Sequence, residues 1–453
     1  MIKKLIVFAS IFVSIASWGQ DNTASPYSYY GLGEVKFRGT QDARAMGGLA
    51  ITGDSIQLGL MNPASYSKLK LTTFAVGGTS SFTNFSTDTE KEKAQRTSFD
   101  YLAVGLPLGK FGVAFGLMPY SAVGYKNENT TVSSTETSYS RKEGNGFINK
   151  VFVGSSYTFN KNLSVGLDFA YHFGDITNDF NKRILAPDFT QYTTRERNIT
   201  ELNGVSFNLG LLYNTKINTK LTFHSSLTYS PETKLSTNNS RNIATVIYSA
   251  SGAEFSNDDE DIAVPNTNLI IPSKLSLGFG LGESKKWLLG TELTFTQNKN
   301  LLNRFTEIIP VSYKNSTRVA LGGYYIPKYD SFSNYLDRIV YRAGFKYENT
   351  GLVLKNESIK DYGMNFGLGL PLGVSKIDLG FEFGKRGTSS NGLIEENYFN
   401  VSVGLNHPTG PAVLSRCRHP RQFPLPAPGL AHGASGAQAQ GHVDATAVAG
   451  IHR

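Results

Sequence analysis

Cysteine is nearly absent: Cys417 is the only one in 453 residues, so no internal disulfide braces the chain. Charge is scarce as well, with 18% Asp, Glu, Lys and Arg against a usual share of about 25%, which argues against a disordered or nucleic-acid-binding chain. The formal charge of +8 is largely terminal: Lys3 and Lys4 supply 2 and the last 47 residues 3, which leaves 3 on the 387 residues between. No nucleic-acid partner follows from that balance. Past the N-terminus no apolar run reaches the roughly 18 residues of a membrane-spanning helix, so helical spans are excluded. No linker rich in Pro, Gly and Ser interrupts the first 400 residues, which points to one large architecture.

What is present begins with an address. Lys3 and Lys4 precede an apolar run, Leu5 to Ile15, and then the small residues of Ala16-Ser17-Trp18-Gly19 ahead of Gln20. Residues 1–19 read as a cleaved secretory leader. The 11 apolar residues fall short of the roughly 20 that a helical anchor needs. No Cys stands near the cut to accept lipid. At the other end, residues 407–453 hold five of the seven His and six of the 17 Pro but no Lys, Tyr or Asn. This tail reads as non-native or disordered. Its His407, His419, His432, His442 and Cys417 lack metal-ligand spacing, and neither a metal nor a cofactor is expected anywhere in the chain.

The body alternates with period two. From Leu163 to Phe173 the odd positions are Leu, Val, Leu, Phe, Tyr and Phe, and the even ones Ser, Gly, Asp, Ala and His. Successive strand residues point to opposite faces. Leu275/Leu277/Phe279/Leu281, Met364/Phe366/Leu368/Leu370 and Ile377/Leu379/Phe381/Phe383 repeat the pattern, and no charged residue enters these sets. A soluble sandwich carries many Lys and Glu on its second face, whereas here that face is mostly Gly, Ser, Thr and Asn, so the apolar face meets lipid. Fourteen such segments start near residues 67, 98, 110, 147, 163, 203, 220, 273, 286, 315, 338, 362, 375 and 398. The fold class is therefore all-β, a transmembrane antiparallel barrel of about 14 strands in the outer membrane of a Gram-negative cell.

Connections alternate accordingly. Short links fall around Leu108-Gly109, Asn160 to Asn162, Asn214 to Asn218, Glu283 to Lys285 and Leu372-Gly373, and long external loops are expected at Glu128 to Asn145, Thr177 to Thr200 and Pro231 to Ile270. Only the link Lys328 to Leu336 is too long for the short side. The longest loop holds the acidic run Asp258-Asp259-Glu260-Asp261, read as solvated rather than as a cation site. Before the barrel, assigned to residues 66–406, lie residues 20–65, rich in Gly and small side chains. A fourteen-strand barrel has more interior than its own side chains fill, so these residues are expected to form a hatch in the lumen. Inward Gly363, Gly367 and Gly369 let a backbone come close.

An exported barrel preceded by Arg44-Ala45-Met46-Gly47-Gly48 and by Asn62-Pro63-Ala64 resembles the long-chain fatty acid transporter family of outer-membrane proteins, the FadL and TodX type, over residues 20 to 406. Ser25-Pro26-Tyr27-Ser28, Met118-Pro119-Tyr120-Ser121 with Gly124-Tyr125, and Gly384-Lys385-Arg386-Gly387 look like its Bacteroidota branch. The resemblance implies a hatch motif of Arg44, Gly47, Gly48, Asn62, Pro63 and Ala64, and passive uptake of hydrophobic, fatty-acid-like molecules that leave sideways into the bilayer. Related barrels are instead non-transporting subunits of secretion or barrel-assembly complexes, with other outer-membrane proteins or lipoproteins as partners. The chain departs from the family where Leu405-Asn406 runs into the tail without a final aromatic residue.

Alternation puts Asp168, Lys274, Glu292, Arg318, Arg342, Lys346, Asp378 and Glu382 in the lumen, four acids and four bases that suit a network of pairs bracing wall or hatch. Few large apolar side chains point inward, so a hydrophobic ligand would need lining from Ile51, Ile56, Leu58, Leu60 and Met61. No enzyme is expected. Asp168 and His172 share a face but, four apart on a strand, stand about 13 Å from one another, and His224 is a lone inward His.

Overall fold

The computed structural model describes residues 23–134, 136–185, 192–249, 253–301 and 311–409. The leader at 1–19 and the tail from residue 410, Cys417 included, lie outside the described residues.

Fourteen antiparallel strands close into a barrel. They are β1 Thr72–Ser86, β2 Lys91–Leu108, β3 Phe111–Val132, β4 Thr137–Thr158, β5 Leu163–Leu185, β6 Thr193–Lys216, β7 Leu221–Ser230, β8 Lys274–Glu283, β9 Trp287–Thr296, β10 Ser316–Tyr325, β11 Val340–Leu354, β12 Glu357–Leu372, β13 Ser375–Arg386 and β14 Glu395–Thr409. Each pairs with its neighbour in sequence, and β14 returns to β1 from Glu395↔Ser86 to Thr409↔Thr72. The last strand thus takes in His407, Pro408 and Thr409, three residues that composition had given to the tail. The first starts at Thr72 because Asn62-Pro63-Ala64 opens a 3₁₀ turn, Pro63–Lys68, in which the Asn62 side chain accepts the Ala64 N–H.

Alternation sets the two faces. On β5, Leu167, Phe169 and Tyr171 are 44%, 41% and 46% exposed while Asp168, Ala170 and His172 are 7%, 5% and 2%. The apolar set faces out, where lipid covers it, and the polar set faces the lumen. At the short end Asn160 and Asn218 make matching turns, each side-chain oxygen accepting the backbone N–H groups of the second and third residues onward. Both strand termini, Thr72 and Thr409, lie at this end, which in outer-membrane barrels is periplasmic.

The three expected long loops are mostly strand. Glu128 to Asn145 is the tip of the β3–β4 hairpin, and Thr177 to Thr200 belongs to β5 and β6 on either side of residues 186–191. Pro231 to Ile270 holds strands Thr233–Tyr248, Glu254–Ile262 and Asn268–Ile271, the first of which pairs with β6. The acidic run is on the second, where Asn242 donates to Asp261 at 2.9 Å and to Asp259. Above the bilayer neither face of a strand needs to be apolar, so period two disappears from the sequence while the ladder continues. For the same reason β2, β4 and β6 begin at 91, 137 and 193, seven to ten residues before their apolar stretches. The wall is therefore lopsided: β3 to β6 run 22 to 24 residues and β7 to β10 only 10.

Leu167→Arg, toward the middle of the apolar stretch of β5, is expected to destabilise the barrel by about 2–4 kcal/mol. Ser164→Arg, at a buried inward position, costs more by overpacking than by hydrophobic mismatch. Urea unfolding in vesicles of differing acyl-chain length separates the two, since only the first deficit depends on bilayer thickness.

Candidate functional site

Residues 23–71 lie against the inward face of the wall, and small wall residues make the room. A Cβ added at Gly112 would stand 2.2 Å from the Tyr66 backbone, at Gly166 2.4 Å from that of Pro63, and at Gly344 2.2 Å from that of Met46. Of three inward glycines on β12, Gly367 receives Ala45, whereas Gly363 and Gly369 adjoin Lys346 and Arg342. Leu58, Leu60, Tyr66 and Leu69 pack with Tyr101, Met118 and Phe152, and Ile51 packs with Met46 and Leu288. The helical turn α1, Gln41–Arg44, ends in Gly47 and Gly48 at φ +75° and +88°, where a side chain would strain the backbone and strike Phe345 O or the Arg318 guanidinium. Arg318 donates to Gly47 O at 2.5 Å.

The charged groups form two clusters that tie this segment to the wall. In one, buried Asp361 accepts from Tyr398 Oη at 2.6 Å, Arg386 Nη2 at 3.1 Å and Arg38 Nη1 at 3.2 Å. Arg386 continues to Glu34 at 3.1 Å and Glu396 at 3.5 Å. Lys346 meets Glu382 at 2.5 Å, and Arg44 bridges Glu382 at 3.4 Å and Asp100 at 3.1 Å. In the other, Asp378 takes Arg342 and Gln57 Nε2, each at 2.8 Å. Of the eight charges read from alternation, Arg342–Asp378 and Lys346–Glu382 are direct pairs, Glu292 accepts the Ala50 N–H at 2.8 Å and Asp168 accepts from Tyr66 at 3.3 Å. Lys274 borders the central cavity. Alternation missed Asp361 and Arg386 only because they fall beyond the apolar stretches used to define each strand, although they keep the inward parity of Gly363 and Glu382. Glu34, Arg38 and Gln41 carried no periodic signal at all.

One seam of the wall is incomplete. β2 and β3 pair only over Leu102–Leu108 against Leu117–Phe111. Above this, β2 keeps its ladder with β1 and β3 its ladder with β4, each through an irregular register, at Gly77/Gly78 and at Pro119/Ser121. Pro119 has no N–H to give a ladder, and bulges turn strands apart. The freed edge of β3 is taken up by the N-terminal segment: Glu34 and Val35 pair with Ala122 and Ser121, the Lys36 N–H donates to Tyr120 O at 2.9 Å, Ser121 Oγ to Leu32 O at 2.8 Å and the Gly124 N–H to Ser28 Oγ at 3.1 Å. The motifs Ser25-Pro26-Tyr27-Ser28, Met118-Pro119-Tyr120-Ser121 and Gly384-Lys385-Arg386-Gly387, far apart in sequence, so converge. Gly387 leaves room for Tyr27, and Arg386 holds Glu34.

Behind the seam is a cavity of about 400 Å³. Phe37, Leu60, Met61 and Phe152 give it an apolar side, and Lys150, Lys274 and Arg318, interleaved with Asp168, Glu292 and Glu348, a charged side of mixed sign. Of the five apolar residues expected to line a ligand, Leu60 and Met61 border it, Ile51 and Leu58 are packed into the wall contacts, and Ile56 is half-buried elsewhere. His172 shares a 2.7 Å hydrogen bond with Ser206 Oγ, a partner on β6 that sequence spacing does not reveal, but its Nδ1 has no hydrogen-bond partner among the described residues. A Ser-His relay without a carboxylate at Nδ1 lacks the group that orients the ring. His224 shares a hydrogen bond with Asn214.

Solved structures share this fold. A Pseudomonas putida toluene transporter, TodX, matches at TM-score 0.52 and 16% identity over 81% of this chain and 96% of its own. A Ralstonia pickettii toluene transporter, TbuX, and a Pseudomonas aeruginosa FadL homologue each match at 0.51 and 12%, over 82% of this chain and 98% of theirs. At these identities the likeness is one of fold. No curated relative matches the sequence. The family model that matches residues 1–407 is described as BamG, not as the fatty acid transporters, so the resemblance read from the motifs holds at the level of the barrel.

Asp361→Asn, which leaves Arg38, Arg386 and Lys346 facing a neutral group, is expected to cost about 3–5 kcal/mol and to expose residues 23–40 to protease. Two carboxyls of the segment give opposite pH dependences. Burial would raise Glu34, but Lys36, Arg386 and Arg38 hold it well below the usual range, so its contribution is present above about pH 4.3 and is lost as pH falls through the folded value. Burial and Asp378 raise Asp42, so its contribution is greatest in acid and is lost as pH rises. Urea midpoints measured from neutral to mildly acid pH should rise in the native chain, and Asp42→Asn should lessen that rise.

Proposed function

Because the chain belongs to the BamG family, a family whose member here is an outer-membrane-type barrel, we propose that its working parts are the parted seam and the N-terminal segment that fills it. Residues 23–71 are a hatch. Hydrophobic small molecules occupy the cavity behind the seam and leave sideways into the bilayer between β2 and β3 when Thr23 to Lys36 move aside. The observation that carries this reading is the seam itself, in which a wall ladder is broken at a proline-marked bulge and replaced by a short, displaceable pairing at Ala122 and Ser121. Val35 and Phe37 of the hatch also border the cavity, so its displacement joins cavity to lipid. The toluene transporters named above lend the substrate class, small apolar molecules.

A second reading is favoured by the family and by the height of β3 to β6. In it the chain is a non-transporting subunit of a barrel-assembly or secretion complex, and the charged lumen serves only to keep the barrel rigid.

A disulfide decides between them. In a Cys417→Ser background, Val35→Cys with Ser121→Cys places two thiols opposite one another across the pairing. Oxidation is expected to abolish uptake of a hydrophobic fluorescent probe into liposomes carrying the protein, with recovery on reduction. Equal uptake in both states removes the seam route. No uptake in either, with a stoichiometric barrel or lipoprotein co-extracted from membranes, establishes the subunit role.

A further inference from the structure

At the periplasmic end the links between strands are tight turns except the one between β10 and β11. This link is ordered by its own hydrogen bonds. The Lys328 N–H donates to Asp337 O at 2.8 Å, Ser331 Oγ to Asp337 Oδ2 at 3.2 Å, Asn334 Nδ2 to Asp337 Oδ1 at 3.1 Å and the Leu336 N–H to Asn334 Oδ1 at 3.1 Å. Ser331 is buried within it, yet Phe332 is fully exposed, and Tyr329, Tyr335 and Leu336 are exposed beside it. A loop that spends four polar contacts on holding one shape presents its aromatic residues in a fixed position rather than as a floppy tether.

Two observations say where that position is. Tyr341 is an outward, lipid-facing residue of β11, and its hydroxyl donates to Leu336 O at 3.2 Å, so the loop bends to the outside of the barrel rather than beneath the lumen. The level is that of the aromatic pair Trp287 and Tyr325, which face one another in register at the periplasmic ends of β9 and β10. Four basic groups flank the loop: Lys285 Nζ lies 4.5 Å from the Tyr329 ring centre and the Arg338 guanidinium 5.3 Å from that of Tyr335, with Lys328 on the adjoining backbone and Lys286 beside it, shared with Glu283 at 3.2 Å. Aromatic rings with lysine and arginine at the hydrocarbon boundary favour a phospholipid headgroup layer, where the rings enter the acyl boundary and the cations meet phosphate.

We propose that the segment Lys328 to Ile339 is an interfacial anchor that inserts Phe332, Tyr329 and Leu336 into the periplasmic leaflet and gathers anionic phospholipid through Lys285, Lys286, Lys328 and Arg338. The anchor fixes the height and rotation of the barrel in the membrane on its low-walled side, and it does so whether the seam transports a ligand or not.

The full chain carrying Phe332→Trp, with Trp18→Phe and Trp287→Phe to leave one reporter, tests this in vesicles of phosphatidylcholine with and without phosphatidylglycerol. The indole is expected to emit at shorter wavelength than in water, to resist acrylamide, and to lose most of its emission to lipids brominated near the glycerol. Phosphatidylglycerol should be enriched at the protein, and the fourfold Gln variant at the basic positions should lose that enrichment. An indole that emits as in water and is quenched freely by acrylamide overturns the proposal, as does burial that appears only with a co-purified protein. Heat-dependent gel mobility confirms a folded barrel in either case, and Phe332 has no packing to lose.

Discussion

In hydrocarbon a backbone N–H or C=O without a partner costs several kcal/mol, so a barrel wall tolerates no open edge. Much that is distinctive about this molecule follows from a seam where its wall does not meet that demand by itself. β2 and β3 separate above Leu102 and Leu117, and the groups left over on β3 are answered by Glu34, Lys36, Leu32 and Ser28. The N-terminal segment is therefore part of the wall as well as filling. Its position in turn requires the small residues that admit it and the ion pairs that hold it.

Those ion pairs carry a cost of their own. Asp361, Arg386, Lys346 and Glu382 are all nearly withdrawn from water, and each is tolerable only because several opposite charges converge on it. Such clusters contribute little net stability, but they specify geometry: a displaced segment leaves Arg386 and Asp361 with fewer partners, so intermediate positions are disfavoured relative to fully seated or fully released ones. A segment attached by many mutually dependent polar contacts moves as a unit.

The fold was legible because lipid imposes a strict rule. Wherever a strand crosses hydrocarbon one face must be apolar, and Leu163 to Phe173 displays this without a single exception; where strands leave the bilayer, as at Thr193 to Asn203, the rule lapses and the sequence no longer distinguishes strand from loop. Inward charges such as Arg342 and Asp378 could be assigned to the lumen by parity, but their pairing reaches from β11 to β13 across the glycines of β12, which adjacency of strands does not give. The seam could not be read. Its proline was visible, but that Pro119, Tyr27 and Arg386 share one region depends on where an aperiodic segment goes, and no local pattern encodes that. Ser206 beside His172 is the same kind of case, a cross-strand pairing fixed by register alone.

The contacts of Ser25 and Tyr27 have a temporal consequence. Ser25 hydrogen-bonds Glu396, a residue 371 positions later, and Tyr27 bonds Ile394 O at a separation of 367. The leading end of the segment thus completes its contacts only when β13 and β14 are in place, although Ser28 and Glu34 already find partners on β3, and β14 is also the strand that seals the barrel on β1. Contacts of such separation form late and slowly. Full seating of the segment and closure of the cylinder on β14 are therefore coupled, and both belong to the late part of folding.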